Sequence, residues 1–262
     1  MSSENKSGRS EVASLTVALQ FAGNRLLASL SPTDRALLDP SMSSVMLARG
    51  DVLFEPGEDV NHTYFPGPGV VASLVVTMAD GRAVEAVTIG REGAIGGIVS
   101  AGQKPAFARA VVQIGGTALK MDTAALESVK ERSSAIRDLF SRYADTLLAQ
   151  TMQSVACNAL HAIDARLCRW LLTTHDRVDS DEIALTQEYL AEMLGVQRTT
   201  VSGVARVLQE RGLISYSRGR MVILDRAAIE QCACECYRDV QNHFRAVLPD
   251  ARPQKVVESK AG

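Results

Sequence analysis

Arginine side chains cluster in one short segment of the sequence, residues 195–220. The segment contains five arginines and one acidic residue, Glu210, so its charge is +4 (five minus one), whereas the whole chain has a net charge of −2. Arginine neutralises backbone phosphates, and it can donate two hydrogen bonds to the O6 and N7 atoms of guanine. The segment is therefore a candidate DNA contact; the alternative is a solvated helical pair with no role in DNA binding.

The residues around this segment have the pattern of two helices joined by a tight turn. Thr186 can cap a helix over residues 187–194, Gly195 can end it in the left-handed conformation, and a second helix is expected from about Arg198 to Glu210. This arrangement is a helix-turn-helix, whose second helix enters the major groove at its N-terminal end, and a hairpin wing follows it. The predicted core is Leu190, Ala191, Gly195, Val196 and Val201, and the predicted DNA contacts are Gln197, Arg198, Thr199, Ser202, Arg206, Arg218 and Arg220, with Arg198 contacting a base.

The sequence before the motif begins with a β-rich part that is punctuated by glycines. Asp80-Gly81 lies between two alternating apolar runs and predicts a hairpin with a type I′ turn. Many short strands at regular spacing predict a sandwich or a rolled barrel, and the strand–helix alternation of a nucleotide-binding α/β domain is not present in the pattern. The predicted strands are Val45–Leu47, Asp51–Phe54, His62–Phe65, Val70–Thr77, Ala83–Ile89, Arg109–Ile114 and Thr117–Met121.

A long helix is predicted between the β-rich part and the motif. Ser133 or Ser134 can cap it, and it continues past Asn158 without Gly or Pro. An apolar stripe at steps of three and four residues favours pairing with a second copy of the chain, whereas the alternative is a helix that packs only on its own β-domain. The predicted dimer interface is Ile136, Phe140, Tyr143, Leu147, Thr151 and Val155.

The order of these parts resembles the family of the cyclic AMP receptor and the fumarate–nitrate reduction regulator, the Crp/Fnr family. The motifs that carry the resemblance are GDVLFEPGEDV at 50–60, DGRAVEAVTIGREGAIGG at 80–97, ARLCRWLL at 165–172 and LTQEYLAEMLGVQRTTVS at 185–202. The resemblance implies an α+β fold with an N-terminal jelly-roll-like β-roll, a long dimerisation helix and a C-terminal winged helix-turn-helix. The expected segments are a flexible N-terminus (1–21), a cyclic nucleotide-binding-like β-roll (22–130), the dimerisation helix (131–161), the winged helix-turn-helix domain (162–248) and a flexible tail (249–262).

The function implied by the resemblance is that of a bacterial transcription factor. Such a protein binds a palindromic operator in double-stranded DNA as a homodimer, with RNA polymerase as a further partner. The alternative is a ligand-binding module whose helical domain contacts protein rather than DNA. No nucleophile elbow, phosphate-binding loop or paired-histidine motif occurs, so we expect neither an enzyme nor a cofactor. The lack of a secretory signal and of a long apolar run predicts a cytoplasmic protein.

The resemblance does not extend to the residues that bind cyclic AMP. Gly96-Gly97 replaces the family's Gly-Glu step, Ala106 and Phe107 replace its Arg-Ser pair, and Met152 replaces the serine of its Thr-Ser pair. Cyclic AMP binding is therefore not expected, and the effector is unknown. A modified pocket would use Gly96, Gly97, Phe107, Arg109, Thr151 and Met152. In family members that contact DNA bases with an Arg–Glu–Arg set, the matching residues here are Arg198, Thr199 and Gly203. Only the first arginine is kept, so a different operator is expected.

The five cysteines permit two interpretations. The first in the chain is Cys157, which argues against an N-terminal iron–sulfur site, and the lone roll histidine, His62, argues against haem. On a continuous helix, Cys232 and Cys236 would share a face with His243 and could bind zinc or form a redox switch. This set, which also neighbours Cys234, lacks a fourth ligand, so we expect reduced thiols that pack as small apolar side chains, with no metal.

Overall fold

The computed structural model describes residues 21–249, so the predicted flexible segments before Phe21 and after Pro249 lie outside the described residues. The described part begins with two short helices, α1 (Arg25–Ala28) and α2 (Pro32–Leu38), followed by a 3-10 turn at Asp39–Ser41. Asn24 caps α1 by accepting a hydrogen bond from Leu27 N at 3.1 Å. Ser31 caps α2, where Pro32 occupies the first turn and costs no intrahelical hydrogen bond.

Seven strands form the β-roll, each within two residues of its predicted bounds. They are β1 (Ser43–Leu47), β2 (Val52–Phe54), β3 (His62–Pro66), β4 (Val71–Thr77), β5 (Ala83–Ile89), β6 (Arg109–Ile114) and β7 (Gly116–Asp122). They pair antiparallel in two sheets, in the orders β1-β7-β3 and β2-β6-β4-β5. Val70, Ile95 and Val112 are buried in the roll's core. The expected rolled β-domain is confirmed.

The β4–β5 hairpin forms at Asp80-Gly81, but with a different turn from the predicted one. Thr77 pairs with Ala83, which leaves a five-residue connection, residues 78–82. Only Gly81 has a positive φ in this connection, at 83°, so the type I′ prediction is wrong. Asp80 instead uses its carboxylate to accept hydrogen bonds from Arg82 N at 3.1 Å and Arg82 Nε at 2.8 Å, which stabilises the longer turn.

Two consecutive helices, α3 (Thr123–Arg132) and α4 (Ser134–Leu160), follow the roll. Ser133 caps α4 as predicted, with its Oγ accepting a hydrogen bond from Ile136 N at 3.2 Å. The first half of α4 packs on its own roll: Ile136, Phe140 and Tyr143 are at most 2% exposed. The dimer-interface prediction is wrong at these three positions, because side chains inside the protomer's own core cannot contact a partner. The other predicted positions are half-buried Leu147, half-buried Thr151 and exposed Val155.

The C-terminal part is a helical domain with one small sheet. Its elements are α5 (Ile163–His175), β8 (Glu182–Ile183), α6 (Gln187–Leu194), α7 (Arg198–Glu210), β9 (Ile214–Ser217), β10 (Arg220–Ile223), α8 (Arg226–Cys232) and α9 (Cys236–Val247). The sheet order is β8-β10-β9. Trp170, Leu171 and Leu208 are buried in its core.

The helical domain packs against the roll through buried polar contacts. Trp170 donates its Nε1 hydrogen to Glu85 of β5 at 3.1 Å. Arg177, which follows α5, lies 2.7 Å from the Glu92 carboxylate of the roll. The two parts are therefore joined by specific side-chain pairs as well as by apolar contact. Within residues 21–249, no helix combines the length and apolarity needed to cross a membrane.

Candidate nucleic-acid interface

The turn between α6 and α7 is set by one glycine. Thr186 caps α6 by accepting a hydrogen bond from Tyr189 N at 3.2 Å, as predicted. At the other end, Gly195 adopts φ 64° and ψ 37°, the left-handed conformation that side chains disfavour. Val196 N then donates to Ala191 O at 2.9 Å, which closes the end of α6. The chain is thereby redirected into α7 within three residues, Gly195–Gln197.

The predicted core of the motif holds the two helices together. Leu190, Ala191 and Val201 are at most 5% exposed, and Val196 is half-buried against the same cluster. Ala205 and Leu208 extend this buried side along α7, one helical turn apart. Because small and branched side chains fill the crossing point, the relative position of α6 and α7 is fixed by packing rather than by the exposed surface.

The opposite side of α7 is open to solvent. Arg198 is the first residue of α7, and its side chain is 64% exposed. Gln197, which precedes α7, and Thr199 are exposed beside it. Ser202 is different, because its Oγ donates to Gln187 Oε1 at 2.5 Å and is half-buried. Three of these four predicted residues are thus exposed at the start of α7, whereas Ser202 is already engaged by α6.

Carboxylates partly neutralise this surface. Three of its arginines form ion pairs: Arg198–Glu188 at 2.9 Å, Arg206–Glu210 at 3.7 Å and Arg220–Glu182 at 3.2 Å. Glu182 and Glu188 lie outside the segment used for the charge count, so the free positive charge is smaller than +4. Such exposed pairs contribute about 0–1 kcal/mol, and a phosphate can replace the carboxylate at little cost. Counting acidic residues on α6 as well would have revealed Glu188 from the sequence.

The wing carries an arginine in a strained turn. Ser217 pairs with Arg220, which leaves a two-residue connection between β9 and β10. Arg218 and Gly219 both have positive φ, at 48° and 76°, the arrangement of a type I′ turn. Tyr216 donates its hydroxyl hydrogen to Leu185 O at 3.3 Å, which ties the wing to the start of α6. The tip of the wing therefore presents Arg218 to solvent.

Residues 165–232 match the family model of the Crp-like helix-turn-helix domain. The chain contains a Crp-like helix-turn-helix. The matched range runs from α5 through the turn at Gly195 and the wing to the end of α8, so it includes the whole candidate interface. Among curated proteins, no sequence matches the chain significantly.

Solved structures show that the domains before this helix-turn-helix also have the Crp/Fnr arrangement. FixK2 from Bradyrhizobium japonicum aligns with a TM-score of 0.62 at 17% identity, covering 74% of this chain and 98% of FixK2. A putative Crp/Fnr regulator from Eubacterium rectale aligns with a TM-score of 0.60 at 16% identity, covering 79% and 96%. CLP, the c-di-GMP-responsive global regulator of Xanthomonas campestris, aligns with a TM-score of 0.59 at 15% identity, covering 74% and 100%. These likenesses confirm the predicted fold.

The residues of the predicted effector pocket are closely packed, exposed or already paired in the protomer. A Cβ on Gly96 would lie 2.7 Å from Val60 Cγ1, and a Cβ on Gly97 would lie 2.8 Å from Phe140 Cε1, so both glycines permit close packing. Phe107 is 88% exposed and Met152 is 59% exposed. The two remaining members are occupied: Arg109 pairs with Glu55 at 2.9 Å, and Thr151 donates to Leu147 O at 2.8 Å.

A cleft of about 640 Å³ lies elsewhere, between the roll, α4 and α9. Arg91, Gln150, Arg177 and Tyr237 are among the residues that line it. None of the six residues predicted for the effector pocket contributes to its walls. The effector pocket therefore stays a prediction, and this cleft is formed by elements that meet only in the folded chain.

The continuous helix assumed for the C-terminal cysteines is not formed. Helix α8 ends at Cys232 and α9 begins at Cys236, and the chain between them is broken by Ala233, which is extended (φ −74°, ψ 150°), before Glu235 returns to helical angles. Cys232 and Cys236 therefore do not share one helical face with His243. His243 instead lies 2.8 Å from the Asp145 carboxylate of α4. The predicted grouping is wrong, although Cys234 and Cys236 are buried as expected.

Proposed function

We propose that this protein is a sequence-specific transcription factor that binds a palindromic operator as a homodimer and receives an effector signal through its β-roll. The observation that carries the proposal is the open N-terminal face of α7, mounted on a rigidly packed Crp-like helix-turn-helix. In this class of motif, the first residues of the second helix contact base edges in the major groove. Arg198 occupies that place, and its exposed ion pair with Glu188 can be exchanged for a contact with guanine.

Selection from random duplex oligonucleotides tests the proposal without assuming an operator. We expect an enriched palindrome, because a two-fold symmetric dimer places two α7 helices on two half-sites. Fluorescence anisotropy on the selected site should show affinity falling as salt rises, since bound arginines release counterions from phosphate. A folded preparation that binds no duplex at low salt would contradict the proposal and favour a helical domain that contacts protein.

Dimerisation is proposed through the second half of α4. Leu148, Met152 and Val155 are 57%, 59% and 67% exposed, and they follow one another at steps of four and three residues. This spacing places them in one stripe on the side of α4 that its own roll leaves uncovered. A two-stranded coil formed by two such stripes would bury these side chains and bring the two helical domains together.

A charge in this stripe tests the dimer directly. We expect Met152→Asp to convert a dimer into a monomer in sedimentation equilibrium, because two carboxylates would face each other across the coil. Phe107→Asp is the matched control, since Phe107 is 88% exposed and belongs to the roll rather than to the α4 stripe. A wild-type monomer at micromolar concentration, or equal dissociation of both variants, would refute this interface.

The effector is proposed to differ from cyclic AMP. Arg109, the nearest arginine to the family's phosphate-binding position, is paired with Glu55 at 2.9 Å. Phe107, which is exposed, stands where the family's Arg-Ser pair has its serine hydroxyl. Calorimetric titration is therefore expected to give no heat of binding for cyclic AMP at micromolar concentration. Binding that also tightens the DNA complex would overturn this part of the proposal.

A further inference from the structure

Four metal-ligating side chains converge where the long helix ends. Cys157, His161, Cys234 and Cys236 place one ligand atom each within 4.8 Å of all the others. The Sγ atoms of Cys157 and Cys234 are 3.6 Å apart, and Cys236 Sγ is 3.4 Å from His161 Nδ1. Three thiols and an imidazole are a ligand set used by closed structural zinc sites.

The two segments that supply these side chains are each arranged for ligation. Cys157 and His161 are four residues apart at the end of α4, so they lie on one face, one turn apart. Cys234 lies in the break between α8 and α9, Cys236 is the first residue of α9, and their contacts with Cys157 and Gln153 place both thiols against α4. The sequence could not reveal this set, because its two halves are separated by α5, the helix-turn-helix and the wing.

The distances suit one small ion rather than a cluster. In a tetrahedron with bonds of about 2.3 Å to sulfur and about 2.0 Å to nitrogen, sulfur atoms are roughly 3.8 Å apart and sulfur and nitrogen are roughly 3.5 Å apart. The 3.6 Å between the Cys157 and Cys234 sulfurs and the 3.4 Å between Cys236 Sγ and His161 Nδ1 lie close to these values, and the other separations are at most 4.8 Å. An iron–sulfur cluster, also held by cysteine thiolates, fills the space between its ligands and needs them further apart.

The surroundings of these four side chains match those of a metal site. His161 presents its other ring nitrogen, Nε2, to the Glu235 carboxylate at 3.2 Å, which leaves Nδ1 for the ion. Gln153 donates an Nε2 hydrogen to Cys236 Sγ at 3.0 Å. Three thiolates around a divalent ion leave one negative charge, and the buried Nε of Arg169 has no hydrogen-bond partner in the described residues.

We propose that Cys157, His161, Cys234 and Cys236 form a tetrahedral structural site for a single Zn²⁺ ion. The ion joins the end of α4 to the junction of α8 and α9. It therefore holds the helical domain, and α9 with it, against the long helix. Thiolate ligands favour zinc over hard cations such as magnesium and calcium. The proposal does not depend on DNA binding, since an ion at this place stabilises the fold whether or not a duplex is bound.

Metal analysis of the full chain, purified without a histidine tag, tests the site. We expect about one zinc per chain by inductively coupled plasma mass spectrometry. Cys157→Ser and Cys234→Ser should each lower the zinc content by about tenfold or more after dialysis. Cys232→Ser and Cys168→Ser are matched controls, because neither thiol belongs to the set, and both should retain the ion. Equal zinc in all five proteins, or none in the wild type, would overturn the proposal.

Two measurements keep the test decisive if a ligand variant folds poorly. Wild-type protein exchanged into Co²⁺ should show the visible d–d bands of tetrahedral coordination, together with thiolate-to-cobalt charge transfer. Chelator should lower the melting temperature of wild type and Cys232→Ser alike. Absorption of an iron–sulfur cluster, or a Cys157–Cys234 disulfide found by mass spectrometry in metal-free protein, would contradict the zinc site. Both readouts report on the ion alone, so they separate its failure from a failure to bind DNA.

Discussion

Arg177 and Arg198 belong to one domain but use their charge in opposite ways. Arg177 is 4% exposed, and its guanidinium reaches the Glu92 carboxylate and the carbonyl oxygens of Thr88 and Thr173. The Arg198 side chain is 64% exposed and has one ion pair, with exposed Glu188. The guanidinium of Arg177 has its hydrogen-bond acceptors supplied by the protein itself. Arg198 is held weakly, and this difference separates a charge used for folding from one available to a ligand.

The same contrast extends to the surfaces around the two arginines. Beside Arg177, Glu85 is buried and accepts hydrogen bonds from Ser73, Thr88, Gln113 and Trp170. Beside Arg198, the polar side chains of α7 and the wing face solvent. The buried surface around Arg177 and Glu85 joins the roll to the helical domain. A change in one part can therefore alter the position of the other. The exposed Arg198 side chain has only a weak surface ion pair, so it can be altered with little loss of stability.

Arg177→Ala should give the largest effect on stability. It leaves the Glu92 carboxylate, whose side chain is 17% exposed, without its partner between two domains. Breaking a buried pair in this way costs about 3–5 kcal/mol. The free energy of unfolding from urea titration measures it. Arg82→Ala is the control, because the 86% exposed Arg82 side chain pairs only with Asp80 and should cost about 1 kcal/mol or less. Similar losses in both variants would contradict the assignment.

Arg198→Ala should have the reverse profile. Its unfolding free energy should stay within about 0.5 kcal/mol of wild type, because the lost ion pair is exposed. Its affinity for the selected operator should fall by about 1–3 kcal/mol, with relaxed preference at one base pair. Anisotropy on operator variants measures both quantities, with Arg82→Ala again as control. Unchanged base preference would assign Arg198 to phosphate rather than to a base.

The sequence predicted the exposed surface around Arg198 better than the buried surface around Arg177. Strand bounds, the caps Ser133 and Thr186, and the left-handed Gly195 are encoded within a few residues, so local patterns suffice to predict them. The contact between Trp170 and Glu85 joins residues far apart in the chain, and no local pattern reports it. The dimer-interface prediction was wrong at the buried half of the α4 stripe for the same reason. Periodicity shows that a helix face is apolar, but not which surface covers it.

Glu85→Gln should change the pH dependence of stability. Burial raises the pKa of the Glu85 carboxyl, against the opposing hydrogen bonds from Ser73 and Thr88. The folded protein therefore binds this proton more tightly than the unfolded chain does. Its contribution is fully present below the ordinary carboxyl pKa and is lost as pH rises through the raised value. The variant cannot titrate, so its stability relative to wild type should increase with pH. A constant difference from pH 4 to about pH 8 would refute this linkage.

Arg218→Asn should give the smallest change in stability, and it should change stability and operator affinity in opposite directions. Arg218 has φ 48°, a conformation that costs most side chains about 1–2 kcal/mol, and asparagine tolerates it better in a type I′ turn. We expect the variant to be more stable by up to about 1 kcal/mol in urea titration. Its operator affinity should fall, with a smaller salt dependence, because one phosphate contact is removed. Arg211→Asn is the control, since Arg211 has φ −84° and offers no such gain. A variant that gains stability and loses operator affinity would show that Arg218 serves DNA binding. A variant that loses stability without losing affinity would show instead that Arg218 serves the turn.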